Sequence, residues 1–401
     1  MSQKDTFLEY TNGRNSFLKH LILKNCVYDK PFTLADLSKE YDTSIPTASR
    51  IVADLIEDGF MKETGKMEST SGRRPSVYGL NPEAGYFVGV DVKSDHIIVA
   101  VTNFMGELCF YNKRIDFILD NNAPSCELMC EVILDYLKTA KVNLAKIRSY
   151  GFNFTGRVNY NSGYCFSYFI SEDKPISQIL QNKLDCPVYV ENDSRAMAYA
   201  EYMLSDGSEK TFLVFNVSWG LGLGMILEGK LVYGRSGFSG EIGHFPMYDN
   251  KIICRCGKIG CLETEASGAA LHRIVLEEMA NGQPSLLSRK FNAKEEITLE
   301  NILDAVDSED TVAIDAVERV GKSLGRAIAG MINLFNPGVI VIGGTLARAQ
   351  KYLMGPIKGN VNKLALGIVS NDTSIVVTRI GEKAGAIGAS LVARDRMLGI
   401  L

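Results

Sequence analysis

Residues 239–263 read SGEIGHFPMYDNKIICRCGKIGCLE, a stretch that holds three of the chain's nine cysteines and one of its four histidines. One imidazole nitrogen and three thiolate sulfurs form a Cys3His set, which suits tetrahedral Zn2+ and leaves no open position for catalysis. Gly257 and Gly260 allow the chain to turn tightly around an ion. The alternative is three reduced cysteines beside a surface histidine. The spacing predicts a structural zinc site with four ligands: His244, Cys254, Cys256 and Cys261.

The composition is that of a soluble protein of more than one domain. A chain of 401 residues is too long for one core, and 46% apolar with 22% charged residues is typical of globular proteins. The net charge of −4 means that any DNA contact must be local. The N-terminal sequence MSQKDTFLEYTNGRN lacks the apolar core of a signal peptide, and no apolar run is long enough to span a bilayer. We therefore expect a cytoplasmic protein with no membrane partner, in which the six scattered cysteines are buried thiols.

The first eighty residues carry the pattern of three short helices. Residues 15–27 have apolar side chains at helical spacing, and Thr33 begins a second helix. A third helix follows Ser44, a good N-cap, has Pro46 in its first turn and ends at Gly59. This order predicts a helix-turn-helix, the alternative being a plain helical bundle. The apolar residues expected to face the core are Phe17, Leu18, Leu21, Ile22, Cys26, Leu34, Leu37, Ile51, Val52, Leu55 and Ile56.

The residues that follow predict a wing. Residues 60–64 and 77–80 have strand-like sequences, and the tip between them ends in Arg73 and Arg74, just before a proline. Two guanidinium groups on a compact tip suit the negative potential of a narrow minor groove. The first eighty residues hold eleven basic and eleven acidic side chains. DNA binding therefore requires the basic side chains to lie together on one face of the domain. The combined pattern predicts a winged helix-turn-helix DNA-binding domain over residues 14–80.

The start of the third helix carries the candidate base readers, because the N-terminal residues of a recognition helix reach base edges. Ser44 is equally explained as the N-cap, and Arg50 fits a phosphate contact as well as base recognition. The predicted DNA-contacting residues are Ser44, Thr47, Ser49, Arg50, Arg73 and Arg74.

From residue 84 onward, strands alternate with helices in two successive α/β lobes. The first lobe covers residues 84–200, with the segment of about 381–401 packing back on it, and the second lobe covers residues 201–380. Such an arrangement places a ligand-binding cleft between the lobes. Strands are predicted at 86–92, 97–102, 107–114, 149–153, 188–191, 212–217, 224–227, 339–342 and 374–377, and helices at 125–140, 194–204, 267–280 and 309–335.

Several motifs of the body resemble those of the repressor/ORF/kinase (ROK) family, a branch of the actin-like sugar kinases. They are Glu191-Asn192-Asp193, the stretch from Ser239 to His244, the cysteine segment 254–263, Asn336-Pro337 with Gly343-Gly344, and residues 384–389. The resemblance runs from about residue 14 to the C-terminus. It implies a two-lobed actin-like, sugar-kinase-like body of the ribonuclease H-like type behind the winged head, as in the regulators of the family.

The resemblance also implies a sugar pocket. In similar ROK proteins the positions of Asn192 and Asp193 bind the sugar, and in the kinases the aspartate is the general base. Converging carboxylates and an amide supply the acceptors and donors that a polyhydroxyl ligand needs. His244 is expected to bind zinc through one ring nitrogen and to meet the sugar through the other. The implied residues for a sugar or sugar phosphate are Gly156, Arg157, Asn192, Asp193, Glu241, His244 and Glu263.

The two loops that hold ATP phosphates in family kinases are altered in this chain. In the kinases the first loop has a sequence like Asp-x-Gly-Gly-Thr. In this chain the corresponding residues 91–95 read DVKSD, with Asp95 at the threonine position. The second loop has a sequence like Gly-Thr-Gly-x-Gly in the kinases. In this chain residues 218–222 read SWGLG, with Trp219 at the threonine position. Backbone N–H groups can cradle phosphate only where side chains are absent. ATP and Mg2+ are therefore not expected as cofactors, although Lys93 offers a substitute phosphate ligand.

These inferences predict a sugar-responsive DNA-binding regulator, a repressor of carbohydrate-metabolism genes that binds operator DNA. The alternative is an ATP-dependent ROK kinase of a hexose or N-acetylhexosamine, in which Asp193 is the catalytic base. A third hypothesis is an oligomerisation module that binds neither DNA nor sugar. The apolar stripes of helices 267–280 and 309–335 exceed what one core obviously needs, which predicts a homodimer or homotetramer.

Overall fold

The structure is a computed structural model that describes residues 16–28, 31–67, 74–169, 173–205 and 207–401. The chain forms two compact units. The first comprises Met1–Asp193 together with Gly385–Leu401, and the second comprises Ser194–Ala384. Across the described residues, each helix is too short or too polar to cross a membrane.

The first unit begins with three helices and a β-hairpin. The helices are α1 (Ser16–Tyr28), α2 (Leu34–Glu40) and α3 (Ile45–Glu57), and the strands are β1 (Phe32–Thr33), β2 (Met61–Lys66) and β3 (Ser76–Leu80) in the antiparallel order β1-β3-β2. Thr33 and Asp36 form a capping box at α2, which fixes where that helix starts. The described residues have the helix order and hairpin of a winged helix-turn-helix, and the hairpin tip at 68–73 lies outside them.

Two apolar residues of the predicted head core are not buried. Phe17 and Ile56 are exposed by 75% and 39%, so the prediction that both face the core is wrong. On α1 the buried face instead includes Lys19, whose ammonium lies 3.0 Å from a carboxylate oxygen of Asp58 and 3.4 Å from one of Asp54. Residues two apart do not share a helix face. Because Lys19 is buried and ion-paired, Phe17 therefore points to solvent. On α3, Ile56 lies outside the stripe of residues that the helix buries.

A five-stranded mixed sheet follows in the first unit. Its strands are β4 (Tyr86–Val92), β5 (His96–Asn103), β6 (Leu108–Asp116), β7 (Ile147–Phe154) and β10 (Val188–Asn192), in the order β10-β7-β4-β5-β6. The strands β4, β5 and β6 are antiparallel neighbours, whereas β7 and β10 run parallel to β4. Helices α4 (Ala123–Thr139) and α5 (Ile176–Leu184) and the small ladder of β8 (Val158–Asn159) and β9 (Tyr164–Cys165) complete this part.

The sheet of the second unit repeats this plan. Its strands are β11 (Phe212–Val217), β12 (Leu221–Leu227), β13 (Lys230–Leu231), β14 (Val339–Gly343) and β15 (Ser374–Val377), in the order β13-β12-β11-β14-β15. Here too the first three strands are antiparallel neighbours and the last two run parallel to the first. One topology occurring twice agrees with the predicted ribonuclease H-like fold class.

Helices surround the second sheet. They are α6 (Asp193–Met203), α7 (Gly268–Ala280), α8 (Ser288–Asn292), α9 (Leu299–Asp307), α10 (Thr311–Phe335), α11 (Gln350–Leu364) and α12 (Gly367–Ser370). The apolar faces of α7 and α10 are buried together in the core of this unit. That core accounts for much of the apolar surface from which the sequence predicts an oligomer, so the oligomeric state stays a prediction. Short 3-10 helices lie at Pro82–Ala84, Leu144–Lys146, Ile242–His244, Leu262–Thr264, Thr345–Ala349 and Gly381–Lys383.

The C-terminal helix (Ala384–Met397) lies directly on the sheet of the first unit. A Cβ atom at Gly89 of β4 would lie 1.9 Å from the carbonyl oxygen of Ala386, and one at Gly151 of β7 would lie 2.0 Å from that of Ala389. Both distances are far shorter than van der Waals contact, so the helix backbone can approach the sheet only because these two strand residues are glycines.

The core of the head extends into the rest of the first unit. One buried cluster contains Leu55 of the head, Phe87 of β4 and Met397 of the C-terminal helix. The ring of Phe104 lies between those of Phe60 and Phe87, with centroid distances of 5.6 and 5.8 Å. The head is thus packed against the first sheet and the C-terminal helix.

Candidate functional site

The predicted metal ligands come together in the second unit. The Sγ atom of Cys254 lies 3.6 Å from Nδ1 of His244, and the Sγ atoms of Cys256 and Cys261 also lie 3.6 Å apart. The four potential ligand atoms all lie within 4.8 Å of one another. Sulfur atoms about 3.8 Å apart are what tetrahedral geometry gives for Zn–S bonds of about 2.3 Å. The arrangement therefore fits a tetrahedral cation, as the spacing of the sequence predicts.

Two glycines shape the loop that carries the cysteines. Gly257 has φ +83° and Gly260 has φ +77°, a backbone region that disfavours residues with a Cβ atom. A Cβ atom at Gly260 would also lie 2.3 Å from the carbonyl oxygen of Tyr248. Both glycines are thus needed for the turns that bring the sulfur atoms together.

The two nitrogens of the His244 ring face different partners. Nδ1 faces the thiols, whereas Nε2 lies 3.7 Å from a carboxylate oxygen of Glu241. A carboxylate on the far side of a metal-binding imidazole orients the ring and fixes its tautomer. The nitrogen that the sequence analysis assigned to a sugar therefore faces Glu241, itself a predicted sugar residue.

Glu263 is buried beside the cysteine loop and is strongly engaged there. Its carboxylate accepts a hydrogen bond from the backbone N–H of Leu221 at 3.0 Å and pairs with Nε of Arg255 at 3.1 Å. Arg255 stands between two cysteines, and the sequence analysis did not single it out. Its charge compensates the buried Glu263 carboxylate.

A second group of predicted residues assembles in the first unit, at the ends of β7 and β10. The side-chain amide of Asn192 donates to the Gly156 carbonyl oxygen at 2.8 Å and to the Asp193 carboxylate at 3.1 Å. The Thr155 hydroxyl donates to the other carboxylate oxygen of Asp193 at 3.0 Å. Gly156 has φ +94°, and the side chain of Arg157 is exposed. Thr155 was missed by sequence reasoning, although it immediately precedes the Gly156-Arg157 pair.

A buried ion pair lies directly behind this group. The guanidinium of Arg396, on the C-terminal helix, is 2.6 Å from a carboxylate oxygen of Glu191 and also donates to the Val190 carbonyl oxygen at 3.1 Å. Glu191 is 1% exposed. No sequence signal identified Arg396, because its partner lies 205 residues earlier in the chain.

The first altered loop is held by ion pairs of its own. The Lys93 ammonium lies 2.9 Å from the buried Asp91 carboxylate. Asp95 pairs with Arg114 and with His96, each at 2.9 Å. Partial burial raises the pKa of Asp95, but its hydrogen bonds with Arg114 and His96 outweigh that effect and lower it. The expectation that Lys93 substitutes as a phosphate ligand is therefore weakened, because its charge already has a partner.

The backbone of the second altered loop is hydrogen-bonded to the start of α7. The carbonyl oxygens of Ser218 and Trp219 accept from the N–H groups of Gly268 and Ala269, at 2.8 and 2.9 Å, at the N-terminus of α7. The Trp219 ring is half exposed and lies against His272, with ring centroids 5.5 Å apart. Two N–H groups of the loop itself are also engaged, since that of Ser218 donates to the Gly220 carbonyl oxygen at 3.1 Å and that of Leu221 donates to Glu263 at 3.0 Å.

In the head, the predicted DNA-contacting residues differ in their local roles. The Ser44 hydroxyl accepts from the Thr47 N–H at 3.3 Å, so Ser44 caps α3, and it lies 2.9 Å from the Thr47 hydroxyl. Ser49, Arg50 and Arg74 are exposed. Arg73 lies outside the described residues.

Comparison with known proteins defines first the class and then the family. The structure resembles that of a ROK family transcriptional regulator described as a homolog of the Escherichia coli MLC protein, with a TM-score of 0.79 and 28% identity over 95% of this chain and 98% of that one. It also resembles a ROK family glucokinase from Streptomyces griseus solved with glucose and AMPPNP, with a TM-score of 0.67 and 25% identity over 78% of this chain and all of that one. These likenesses confirm the predicted mixed α/β, sugar-kinase-like fold class.

Two curated relatives match over nearly their whole length. A xylose repressor from Caldicellulosiruptor bescii is 27% identical over 96% of this chain and 98% of its own. The DNA-binding transcriptional dual regulator NagC from Escherichia coli is 28% identical over 92% of this chain and 91% of its own. The model of the ROK family matches residues 87–396. The chain belongs to the ROK family, and the resemblance drawn from its motifs is confirmed.

Proposed function

We propose that this chain is a transcription repressor of carbohydrate-metabolism genes whose binding to operator DNA is controlled by a sugar. One observation carries the proposal: a helix-turn-helix head and the buried Asn192–Asp193 group belong to the same compact unit. The full-length similarity to a xylose repressor and to a DNA-binding transcriptional regulator supports the same function.

DNA binding is assigned to the head. The N-terminal part of α3 enters the major groove in a helix-turn-helix, and the wing contacts the adjacent minor groove or phosphates. Ser49 and Arg50 are exposed on α3, and Arg74 is exposed at the described end of the wing. We expect a homodimer or homotetramer in the cytoplasm, because paired heads match the symmetry of a palindromic operator.

The cation in the cysteine cluster is proposed to be structural Zn2+. His244 and Cys254, Cys256 and Cys261 would hold it, and a full set of four protein ligands leaves no position for a reacting group. The ion would cross-link the loop between Glu241 and Glu263 and so fix both carboxylates. Its contribution is therefore to folding and to the shape of the ligand-binding residues.

Sugar binding is assigned to two sets of residues, each assembled within its own unit. In the first unit, hydrogen bonds hold the Asn192 amide and the Asp193 carboxylate, groups of the kind that bind sugar hydroxyls, at one place. In the second unit, the carboxylates flank the cation cluster. The proposed residues for a sugar or sugar phosphate are Gly156, Arg157, Asn192 and Asp193 in the first unit and Glu241, His244 and Glu263 in the second.

The C-terminal helix offers the route from sugar to head within the first unit. Arg396 of this helix pairs with Glu191, the residue before Asn192. One residue further along the helix, Met397 lies in the buried core of the head. A ligand that prefers one arrangement of Asp193 would thereby favour one position of the head, which is the requirement for coupling between two sites.

The experiment that tests the proposal is fluorescence-anisotropy binding to DNA from the chain's own upstream region, at fixed salt concentration. The proteins compared are the wild type, the Arg73→Ala/Arg74→Ala variant and a control variant, Arg289→Ala, which changes an exposed arginine of the second unit. Each is measured with and without D-xylose, N-acetyl-D-glucosamine and their phosphates. We expect sequence-specific binding that the double variant loses, that the control retains and that one of the sugars weakens.

Two results would contradict the proposal. Equal affinity for the upstream DNA and for random DNA of the same length would contradict the proposal that the protein binds a specific operator. Operator affinity that stays unchanged at saturating concentrations of every sugar would contradict the proposal that a sugar controls DNA binding. ADP release that depends on a sugar would favour the alternative, an ATP-dependent sugar kinase.

A further inference from the structure

The most unusual charged group outside the proposed sugar contacts is the pair formed by Asp91 and Lys93. Asp91 lies near the carboxyl end of β4 and is 2% exposed. The Lys93 ammonium lies 2.9 Å from its Oδ2 atom. The Lys93 side chain is itself three-quarters covered. An ion pair that is shielded from solvent interacts much more strongly than one on the surface.

The Asp91 carboxylate is enclosed by the backbone of the C-terminal helix. A Cβ atom at Gly385 would lie 2.3 Å from Oδ2 of Asp91, so this carboxylate occupies space that only a glycine leaves open. Its other oxygen, Oδ1, is buried without a hydrogen-bond partner among the described residues, as is Oδ1 of the adjacent Asn153. Two unpartnered acceptors side by side concentrate negative potential, which a nearby cation has to balance.

Asp193 lies at the same edge of the sheet, because Val92 pairs with Phe154 and Phe154 pairs with Asn192, so Lys93 and Asp193 follow strands that end side by side with β7 between them. Burial lowers the pKa of Lys93, but the charges of Asp91 and Asp193 outweigh that effect and raise it. Burial raises the pKa of Asp91, Lys93 opposes the rise, and Asp193 adds to it. The ammonium therefore acts on both carboxylates, which would otherwise repel each other in a poorly solvated place.

We propose that Lys93 is a positioning residue, a tethered cation that neutralises Asp91 and holds Asp193 ready to bind a sugar. The loop that carries Lys93 stands where the family's kinases are expected to bind phosphate. In this chain the Lys93 side chain gives that loop a permanent positive charge, paired with Asp91. The inference rests on the proposed function, because the ligand of Asp193 is taken to be a sugar.

The test measures sugar affinity of the full chain by isothermal titration calorimetry, with D-xylose and N-acetyl-D-glucosamine as probes. We expect Lys93→Met to weaken binding about tenfold or more, since about 1.4 kcal/mol corresponds to each factor of ten. Lys93→Arg retains the charge and is expected to retain most of the affinity. Ethylammonium chloride is expected to restore part of the affinity of Lys93→Ala, with sodium chloride at the same ionic strength as the reference. The control is Lys146→Met, which removes a half-exposed lysine 3.7 Å from Glu83 and should change nothing.

A second measurement tests the neutralisation without any sugar. The unfolding midpoints of Lys93→Met, Asp91→Asn and the double variant form a cycle, in which coupled charges give a double variant more stable than the sum of the single losses predicts. Additive losses would overturn the proposal, and so would wild-type sugar affinity in Lys93→Met. If the wild type binds neither probe, the proposed function has failed for these sugars, whereas the cycle still decides whether Lys93 neutralises the carboxylate.

Discussion

Glu191 and Arg396 form a buried ion pair, with 2.6 Å between a carboxylate oxygen and a guanidinium nitrogen, that joins the residue before Asn192 to the C-terminal helix. Both side chains are almost completely shielded from water. Removing one partner leaves an uncompensated charge in the interior, which is far more destabilising than removing both.

We therefore expect Arg396→Met to lower the free energy of unfolding by about 3–5 kcal/mol. The double variant Glu191→Gln/Arg396→Met should lose less than the two single variants together. Arg348→Met is the control, because Arg348 pairs with Asp304 and Asp307 at a solvent-exposed place and should cost less than about 1 kcal/mol. Chemical denaturation measures the wild type, Arg396→Met, Glu191→Gln, the double variant and the Arg348→Met control. Equal losses for the two arginines would show that burial of the pair has no such effect.

Removal of the proposed zinc ion should destabilise the second unit. We expect the purified protein to contain one zinc ion per chain by plasma mass spectrometry, and a chelator to lower its melting temperature. Cys261→Ser removes a ligand and should lower both the zinc content and the melting temperature, because a structural zinc site contributes directly to folding. Cys109→Ser changes an exposed cysteine outside the cluster and serves as the control. A zinc-free protein with an unchanged melting temperature would contradict the assignment.

The Thr155 hydroxyl should matter for ligand binding through its hydrogen bond to Asp193. Thr155→Val keeps the shape of the side chain and removes the donor, so we expect sugar affinity to fall by about tenfold, near the lower end of the range for a hydrogen bond to a charged group. Thr155→Ser keeps the donor and should bind nearly as the wild type does. Calorimetric titration with the sugar that dissociates the DNA complex measures the effect. If valine and serine behave alike, the hydroxyl is not what orients Asp193.

We expect no sugar-dependent turnover of ATP. In the loop that carries Trp219, the N–H groups of Ser218 and Leu221 are already bonded to Gly220 and Glu263, so the loop does not offer them to a phosphate. Trp219→Thr should not create activity, because the backbone bonds of the loop remain. A coupled assay for ADP release, with a ROK glucokinase as the positive control, checks both proteins. Sugar-dependent ADP release by the wild type would restore the kinase hypothesis.

Local features of the fold follow from the sequence, because their causes are local. The apolar runs at Tyr86–Val92 and Phe212–Val217 are strands with the predicted bounds. The metal cluster was also predictable, since its four ligands lie in one short stretch with glycines between them. The strand β12 starts earlier than predicted, because Gly222 and Gly224 weaken a strand pattern while making room for Ser194 and Ala198 of α6.

Features that depend on distant parts of the chain could not be predicted. Which face of α1 is buried depends on the ion pair between Lys19 and Asp58, 39 residues away. Nothing in the local pattern marks this lysine as buried. The same holds for Arg396, whose partner is far away in sequence. Composition predicts that such charges are exposed, and only the fold shows which of them are enclosed.

The burial of Lys19 also sets how the head would respond to ionic strength. Its ammonium is committed to Asp54 and Asp58, so it is not available to a DNA phosphate, and the head starts from an even balance of charge. Each neutralised phosphate steepens the fall of log affinity with log salt concentration by about 0.9. Because Lys19 is committed elsewhere, the head would release fewer counterions on binding than its number of basic residues suggests. Its affinity for an operator would therefore fall less steeply with salt concentration than its count of basic residues predicts.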